Sequence, residues 1–423
     1  MLGDRKIMIG ARWIFRTAMG CVLWVLIVPA VAMIPRRKDW IAVIGSGGGN
    51  FSDNAKYFFI QAAKELPGSV RCAFVSEHRS ITKEIKKYER DALLYPSLRS
   101  IWFLIRSGSV VVDSTQWALR CRGYLLTGAR LVQIWHGVGF KVIEEDMRKN
   151  PVSSRRFLSP RFLIAARRFG LMARGIIRNK YDLVCTTSKF YRDNVFLSAL
   201  PSKYYIISGY PRNCRAIGSD LNSDIISSTV DRGLLKILPR WRADGVKVVL
   251  VTPTFRYEKS KPIDLDLDTQ HILDGWCGEN EVKFIFKFHP NEAMKPGFVT
   301  ENIYVCDSLS DIYPIMRLSD AMVTDYSSIF MDYILEDKPV IFFGADIDDY
   351  QKDNRRIQFD YGKMTPGPKV RNWMGALECL KQQWRNDDYS CQREAIRLKA
   401  FDNLPQCEST KKIINFMTIK NWI

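Results

Sequence analysis

Thr324-Asp325-Tyr326-Ser327-Ser328 is the run whose chemistry reads most directly. It follows the apolar stretch Ala321–Val323 and precedes Ile329-Phe330-Met331-Asp332, and a second apolar stretch, Lys338–Gly344, comes next. Strand, polar turn, helix and strand at this spacing predict a parallel βαβ unit. The turn then lies at the carboxyl end of a strand and the amino end of a helix. Unpaired backbone N–H groups and the helix dipole favour phosphate there. Ser327 and Ser328 add hydroxyl donors, so the turn is a candidate pyrophosphate seat.

Other chemistry-bearing residues also stand at expected strand ends. Trp135-His136-Gly137-Val138-Gly139-Phe140-Lys141 follows an apolar run, and His136 is one of only four histidines. A neutral imidazole suits removal of a proton from an attacking hydroxyl, although a structural histidine at a strand end is the plainer reading of His136 alone. Lys141 adds positive charge suited to phosphate. Lys287-Phe288-His289-Pro290 closes another run; Lys287 and His289 share a side and can bond or protonate a diphosphate leaving group. Arg256, after Thr252-Pro253-Thr254-Phe255, is a candidate phosphate clamp because its fork matches phosphate oxygens. Gly209-Tyr210-Pro211-Arg212-Asn213 brings Arg212 close to the same place. Gly45-Ser46-Gly47-Gly48-Gly49-Asn50 has part of a dinucleotide fingerprint, but its third position is Asn. A turn that brings backbone near an acceptor or phosphate fits it better.

The elements that must position these residues form two doubly wound sets. Strands are expected at Trp40–Ile44, Val70–Ser76, Ser109–Asp113, Ala129–Trp135, Tyr181–Thr186 and Tyr204–Ser208. A second set falls at Val246–Thr252, Val282–Phe288, Ile303–Cys306, Ala321–Thr324 and Val340–Phe343. A helix is expected over Asp53–Leu66, and the polar stretch Ser219–Ser228 reads as a linker. The domain reading is therefore a membrane-associated segment over 1–38, a first domain over 39–220 and a second over 221–423. Polar motifs at the strand ends of both sets define one interdomain cleft.

The chain has 423 residues and a net charge of +18, which points to an anionic partner and allows two domains with a sizeable core. No nucleic-acid module is visible, so nucleic acid is not expected. Ten cysteines without a Cys-x-x-Cys pair argue against a zinc site or a disulfide framework, and reduced packing thiols are expected.

Thr17 to Pro35 carries no charge. A helix of that length is about 28 Å long, marginal for a bilayer. A membrane anchor, a cleaved signal peptide and a buried helix all remain open, with the anchor preferred. Lys6, Arg12 and Arg16 precede it and Arg36, Arg37 and Lys38 follow, so charge leaves the orientation ambiguous. Residues 161–180 have helical periodicity, with Phe162, Phe169 and Ile176 on one face and Arg167, Arg174 and Arg178 on another. A basic amphipathic helix of this kind suits an anionic membrane surface; a core-facing helix with a solvated basic face is the alternative.

In this order the motifs resemble the CDP-glycerol glycerophosphotransferases, the teichoic-acid primase and polymerase family. The matching pieces are Ser52-Asp53-Asn54-Ala55-Lys56-Tyr57, Trp135-His136-Gly137, Gly209-Tyr210-Pro211-Arg212-Asn213, Pro253-Thr254-Phe255-Arg256, Lys287-Phe288-His289-Pro290 and Thr324-Asp325-Tyr326-Ser327-Ser328. Phe359-Asp360-Tyr361 and Pro366-Gly367-Pro368 also fit, so the likeness spans roughly Trp40 to Leu380. It implies a GT-B-like α/β fold, two Rossmann-like domains facing a cleft, with the donor nucleotide on the second. It also implies peripheral attachment on the cytoplasmic face of the cell membrane.

By that resemblance His136 is the base on the acceptor hydroxyl. His289, Arg256, Thr324, Ser327 and Ser328 hold the CDP pyrophosphate, and Asp332 holds a donor hydroxyl. The implied reaction is attack by a hydroxyl of a lipid-linked acceptor on the β-phosphorus of CDP-glycerol or a related CDP-alditol, in teichoic acid or capsule-type polymer synthesis. CMP leaves. No cofactor is expected, and no acidic metal-binding cluster is evident, though Asp325 could contact an ion transiently. One departure is visible: the family's usual Thr-Pro-Leu-Lys is here Val138-Gly139-Phe140-Lys141, which bears on the acceptor contact. A GT-B sugar transferase and a non-catalytic membrane scaffold are the rival readings. A homo-oligomer stays open.

Overall fold

The computed structural model describes residues 27–118, 123–144, 146, 180–214, 224–254, 266–288, 299–344, 347, 350–351 and 356–423. Two sheets carry the chain. The first is built from β1 (Arg37–Ile44), β2 (Arg71–Ser76), β3 (Ala92–Leu94), β4 (Ser107–Val112), β5 (Arg130–Gln133), β6 (Tyr181–Thr186) and β7 (Ser202–Ile207). Its order is β3-β2-β1-β4-β5-β6-β7, with every pairing parallel. The second holds β8 (Lys247–Thr252), β9 (Val282–Phe286), β10 (Ile303–Val305), β11 (Ala321–Thr324), β12 (Val340–Phe343) and β13 (Lys369–Val370). Its order is β10-β9-β8-β11-β12-β13, again all parallel. Parallel strands covered on both faces need continuous apolar runs, and β4 and β11 are buried at every residue. The strand order reverses between β1 and β4 and between β8 and β11, the switch points where such sheets open a crevice.

The sheets are joined by specific contacts. Lys56, on the helix Asp53–Glu65 of the first domain, is buried and donates to Asp311 Oδ2 at 2.7 Å, Ile226 O at 2.8 Å and Thr229 Oγ1 at 2.7 Å. Tyr57 Oη donates to the same carboxylate at 3.1 Å. Farther along, Val142 N donates to Arg356 O and Gln358 N to Phe140 O, both at 3.0 Å. Phe140 is buried edge-on against Phe330, with ring centroids 5.3 Å apart. The departure from the family's usual run therefore fills a domain interface.

Several expectations need correction. The short edge strands β3 and β13 were not foreseen. The final helix, Ser409–Ile419, does not stay with the second domain: Ile413, Ile414 and Met417 join the first domain's core beside Ile41 and Val43. The second-domain boundary at 423 thus gives way to a crossing back. Cys214 and Cys407, 193 residues apart, form a disulfide, contrary to the expectation of reduced thiols throughout. Spacing cannot reveal a pair that only the crossing brings together.

The membrane anchor finds no support. Among the described residues no helix is long and apolar enough to cross a membrane. The described end of the apolar stretch is helical over residues 27–33, and Ile27, Val31 and Ile34 pack on the first domain. Arg36 is not a cation left for lipid. Its guanidinium donates to Leu104 O at 2.6 Å and Leu125 O at 3.1 Å, and also to Thr127 O. Residues 1–26 and the basic segment containing Arg167, Arg174 and Arg178 lie outside the described residues.

Candidate active site

The first sheet delivers His136. β5 ends at Gln133, and Trp135 takes φ +50°, a left-handed conformation that a bulky side chain adopts at a cost of about 1–3 kcal/mol. That turn ends the strand two residues earlier than expected and reverses the direction of the next side chain. Four groups hold the strained peptide. Asn54 Nδ2 donates to Trp135 O at 2.9 Å, Trp135 N to Gln133 Oε1 at 2.8 Å, Tyr210 Oη to Gly137 O at 3.1 Å, and Arg212 Nη1 to His136 O at 2.8 Å. Trp135 is buried and its indole lies 4.1 Å from the imidazole, centroid to centroid.

His136 itself is exposed to solvent. Its Nδ1 lies 2.9 Å from the main-chain oxygen of Asp113, at the end of β4. A carbonyl only accepts, so Nδ1 carries the proton and Nε2 presents a lone pair. Protein surrounds the ring closely enough that desolvation lowers its pKa below the ordinary 6.5; Asp53, the Asp113 carbonyl and Glu144 oppose that shift, and Arg212 adds to it. A neutral imidazole with a free Nε2 is the form a base requires. The Asp113 carboxyl is wholly buried, and burial pushes its pKa well up, with Asp53 adding to the rise.

The second sheet delivers the expected phosphate turn at its switch point, after β11 and beside the Thr252–Thr254 end of β8. The structure separates its residues by availability. Thr324 is buried and donates its hydroxyl to Thr252 O at 2.7 Å. Asp325 is buried, and its Oδ1 accepts from Thr254 N at 2.8 Å and Thr254 Oγ1 at 2.6 Å. Both join the ends of two strands, so neither is presented to a substrate or an ion. Ser327 and Ser328 are half-buried, with no side-chain hydrogen bond among the described residues. The helix that follows, Phe330–Tyr333, is a single turn continued by a 3₁₀ turn, Ile334–Glu336. A turn this short carries little macrodipole. The polar turn is therefore followed by one helical turn and a 3₁₀ turn only.

Two further expectations change. Asp332 was assigned a donor hydroxyl, but it is buried with Oδ2 on Arg212 Nη2 at 2.6 Å and Oδ1 on Asn213 Nδ2 at 3.0 Å. Burial raises the Asp332 pKa; the Arg212 guanidinium and the Asn213 amide oppose that rise. Arg212 was assigned to substrate, but it is equally buried and also pairs with Asp53. Burial works against its charge, and Asp332 and Asp53 more than offset that, so the guanidinium stays protonated.

Lys287 is half-buried and donates to Ser308 O at 2.5 Å; burial lowers its pKa. The Lys141 ammonium lies 5.2 Å from the centre of the Tyr350 ring. His289 and Arg256 lie outside the described residues. The sequence reading assigned no role to Asp53, Asn54, Asp113 or Tyr210. A signal existed in each case: Asp113 directly follows the apolar run Val110-Val111-Val112, and the other three sit inside motifs of the resemblance.

The Gly-rich turn serves packing. Gly49 has φ +93°, and a Cβ there would come within 2.5 Å of Val75 O. Gly48 O accepts from Glu77 N at 2.8 Å, so the loop is closed against the end of β2.

Two doubly wound parallel sheets, with the exposed imidazole of His136 at a strand end of one, the Ser327-Ser328 turn at the switch point of the other and Arg212 bonded to both domains, define a two-domain α/β fold. The chain belongs to the CDP-glycerol:poly(glycerophosphate) glycerophosphotransferase family, whose model matches residues 27–418. It is 26% identical over 363 residues to a teichoic acid poly(glycerol phosphate) polymerase of Bacillus spizizenii, covering 83% of this chain and 85% of that one. It is 33% identical over 265 residues to the polymerase of the same description from Bacillus subtilis, covering 59% of this chain and 32% of that longer one. Its fold matches the wall teichoic acid polymerase TagF with a TM-score of 0.67 at 20% identity, over 96% of this chain and 97% of that chain.

Proposed function

We propose that this family member transfers glycerol phosphate from CDP-glycerol to a hydroxyl of a lipid-linked acceptor and releases CMP. The observation that carries the reading beyond family membership is the state of His136: solvent-exposed, pinned at Nδ1, open at Nε2 and held neutral. In the proposed step Nε2 takes the proton of the acceptor hydroxyl as its oxygen bonds to the β-phosphorus. The bond from that phosphorus to the oxygen bridging to CMP breaks, and CMP carries the electron pair away. A phosphodiester results. The protein's part is alignment and charge neutralisation. Ser327, Ser328 and the N–H groups around them face the transferring phosphoryl group. Arg256 and His289 are assigned to the same charge by the family resemblance, and Lys287 and Lys141 by their positions near strand ends and their positive charge.

A solved neighbour of this fold, at a TM-score of 0.68 and 20% identity, is a TagF variant soaked with CDPG, which supports a CDP-linked donor. Relatives of this chain also include a ribitol-phosphate polymerase of Bacillus spizizenii, 31% identical over 150 residues. The alditol therefore needs a direct test. Purified protein, a lipid-linked glycerophosphate acceptor and CDP-glycerol, CDP-ribitol or a UDP-sugar are incubated in parallel, and nucleotide release is measured. CDP-glycerol gives acceptor-dependent CMP. Turnover of the UDP-sugar alone would instead support a sugar transferase. The reading places the chain at a membrane surface because its acceptor is a lipid. Co-sedimentation with anionic liposomes, lost on Arg167→Glu/Arg174→Glu/Arg178→Glu, tests that placement.

A further inference from the structure

Arg212 is a buried cation whose side chain bonds to both domains. Its two terminal nitrogens reach Asp53 at the start of the helix Asp53–Glu65, the His136 carbonyl at 2.8 Å and the Asp332 carboxylate at 2.6 Å. Its backbone N–H donates to Asn54 Oδ1 at 3.2 Å, and its backbone oxygen accepts from Arg317 Nη2 at 2.9 Å. The guanidinium also lies 4.6 Å from the centre of the Tyr313 ring. Asp53, Asn54 and His136 belong to the first domain; Asp332, Arg317 and Tyr313 belong to the second. Asp332 stands four residues after Ser328, on the helical turn that the phosphate loop leads into. One planar fork thus joins the peptide of the candidate base to the element behind the candidate donor seat. A lysine cannot reproduce that geometry.

We propose that Arg212 is a positioning residue: it aims His136 by holding its carbonyl, and through Asp332 it makes that aim depend on the second domain being docked. This rests on the reading of His136 as the base. The link from the 325–332 segment to the His136 peptide runs through this single side chain. Among the described residues the charges that act on the ring are Asp53 and Arg212 from this network and Glu144 from the segment after Phe140. The buried Asp113 carboxyl lies behind it.

The experiment reads the ring directly. Protein labelled at histidine has four histidines, and the resonance absent in His136→Gln identifies the one of interest. Its titration is followed by NMR in wild type, Arg212→Gln and Asp53→Asn, alongside thermal melts and the pH dependence of kcat/KM. Arg212→Gln removes a cation and leaves Asp53 unpaired, so the His136 pKa rises by about half to one pH unit. Asp53→Asn removes an anion, so the pKa falls by a similar amount. Asparagine tolerates the left-handed φ of +57° at that position, so the backbone is kept. Arg212→Gln also lowers kcat about ten- to a hundredfold, more than it changes KM for CDP-glycerol.

Loss of thermal stability with an unmoved His136 pKa in both variants would overturn the proposal and leave Arg212 a structural clamp. If Arg212→Gln does not fold, Asp53→Asn decides: an unmoved pKa there overturns it. Shifts seen by NMR but absent from the acid limb of kcat/KM would support Arg212 as the residue that sets the ring and would remove His136 as the base, so the two failures are distinct.

Discussion

A histidine at a strand end is an ordinary thing, and His136 becomes a base only through what surrounds it. Its Nδ1 proton is committed to the Asp113 carbonyl, which leaves Nε2 as the sole acceptor. Desolvation lowers its pKa below the ordinary value, so the ring is already neutral near pH 7. The sign of the pH dependence follows. Protonation inactivates the base, so kcat/KM rises with pH through a value below 6.5 and is flat at neutrality; a midpoint above 6.5 would contradict the assignment. The phosphate turn makes a second prediction at this scale. Thr324 spends its hydroxyl inside the sheet, whereas Ser327 and Ser328 do not. Ser327→Ala/Ser328→Ala raises KM for CDP-glycerol about tenfold and leaves the melting temperature unchanged, whereas Thr324→Val lowers the melting temperature and changes KM little. The sequence showed that these residues cluster at strand ends. It could not show which of their polar atoms are already spent, because that depends on distant neighbours, as with Arg212 and Asp332, 120 residues apart.

At the scale of elements, long apolar strands were legible and short edge strands were not. Val110-Val111-Val112 in β4 and Val248-Val249-Leu250-Val251 in β8 are continuous β-branched and apolar runs, short enough and rich enough in valine to read as strands covered on both faces. β3 and β13 have three and two residues, too few for any period to show. After the polar turn the expected helix is short, and Phe330, Met331, Tyr333 and Ile334 are all buried. They join a core cluster that residues of both domains share. The Cys214–Cys407 bond ties the end of the Pro211–Asn213 turn to the entry of the last helix, the place where the chain crosses back. A non-reducing peptide map joins the Cys214 and Cys407 peptides. Cys407→Ser lowers stability by about 2–4 kcal/mol in a denaturant melt. Separate, fully alkylated peptides from protein never exposed to reductant would contradict the bond.

The whole molecule is two sheets pressed together by buried charge, and each sheet supplies half of the proposed reaction. Lys56 and Asp311 are fully desolvated, so either charge alone is costly. Lys56→Met lowers stability by about 3–5 kcal/mol, and Lys56→Met/Asp311→Leu recovers much of that loss; equal losses in the single and double variants would argue against a paired seam. That two domains exist was legible from two sets of strands around a polar stretch. Their docking was not, because Phe140, Lys56 and the final helix each read as ordinary local elements until the other domain is beside them. The central claim, acid–base transfer across this seam, is tested most directly by CMP release. Wild-type protein and His136→Ala are incubated with CDP-glycerol and a lipid-linked glycerophosphate acceptor near pH 7, with folding verified by the melt. The account predicts acceptor-dependent CMP from wild type and a loss of about 10²–10⁴-fold in the variant, whose exposed side chain leaves the fold intact. Equal CMP release from both proteins would contradict it.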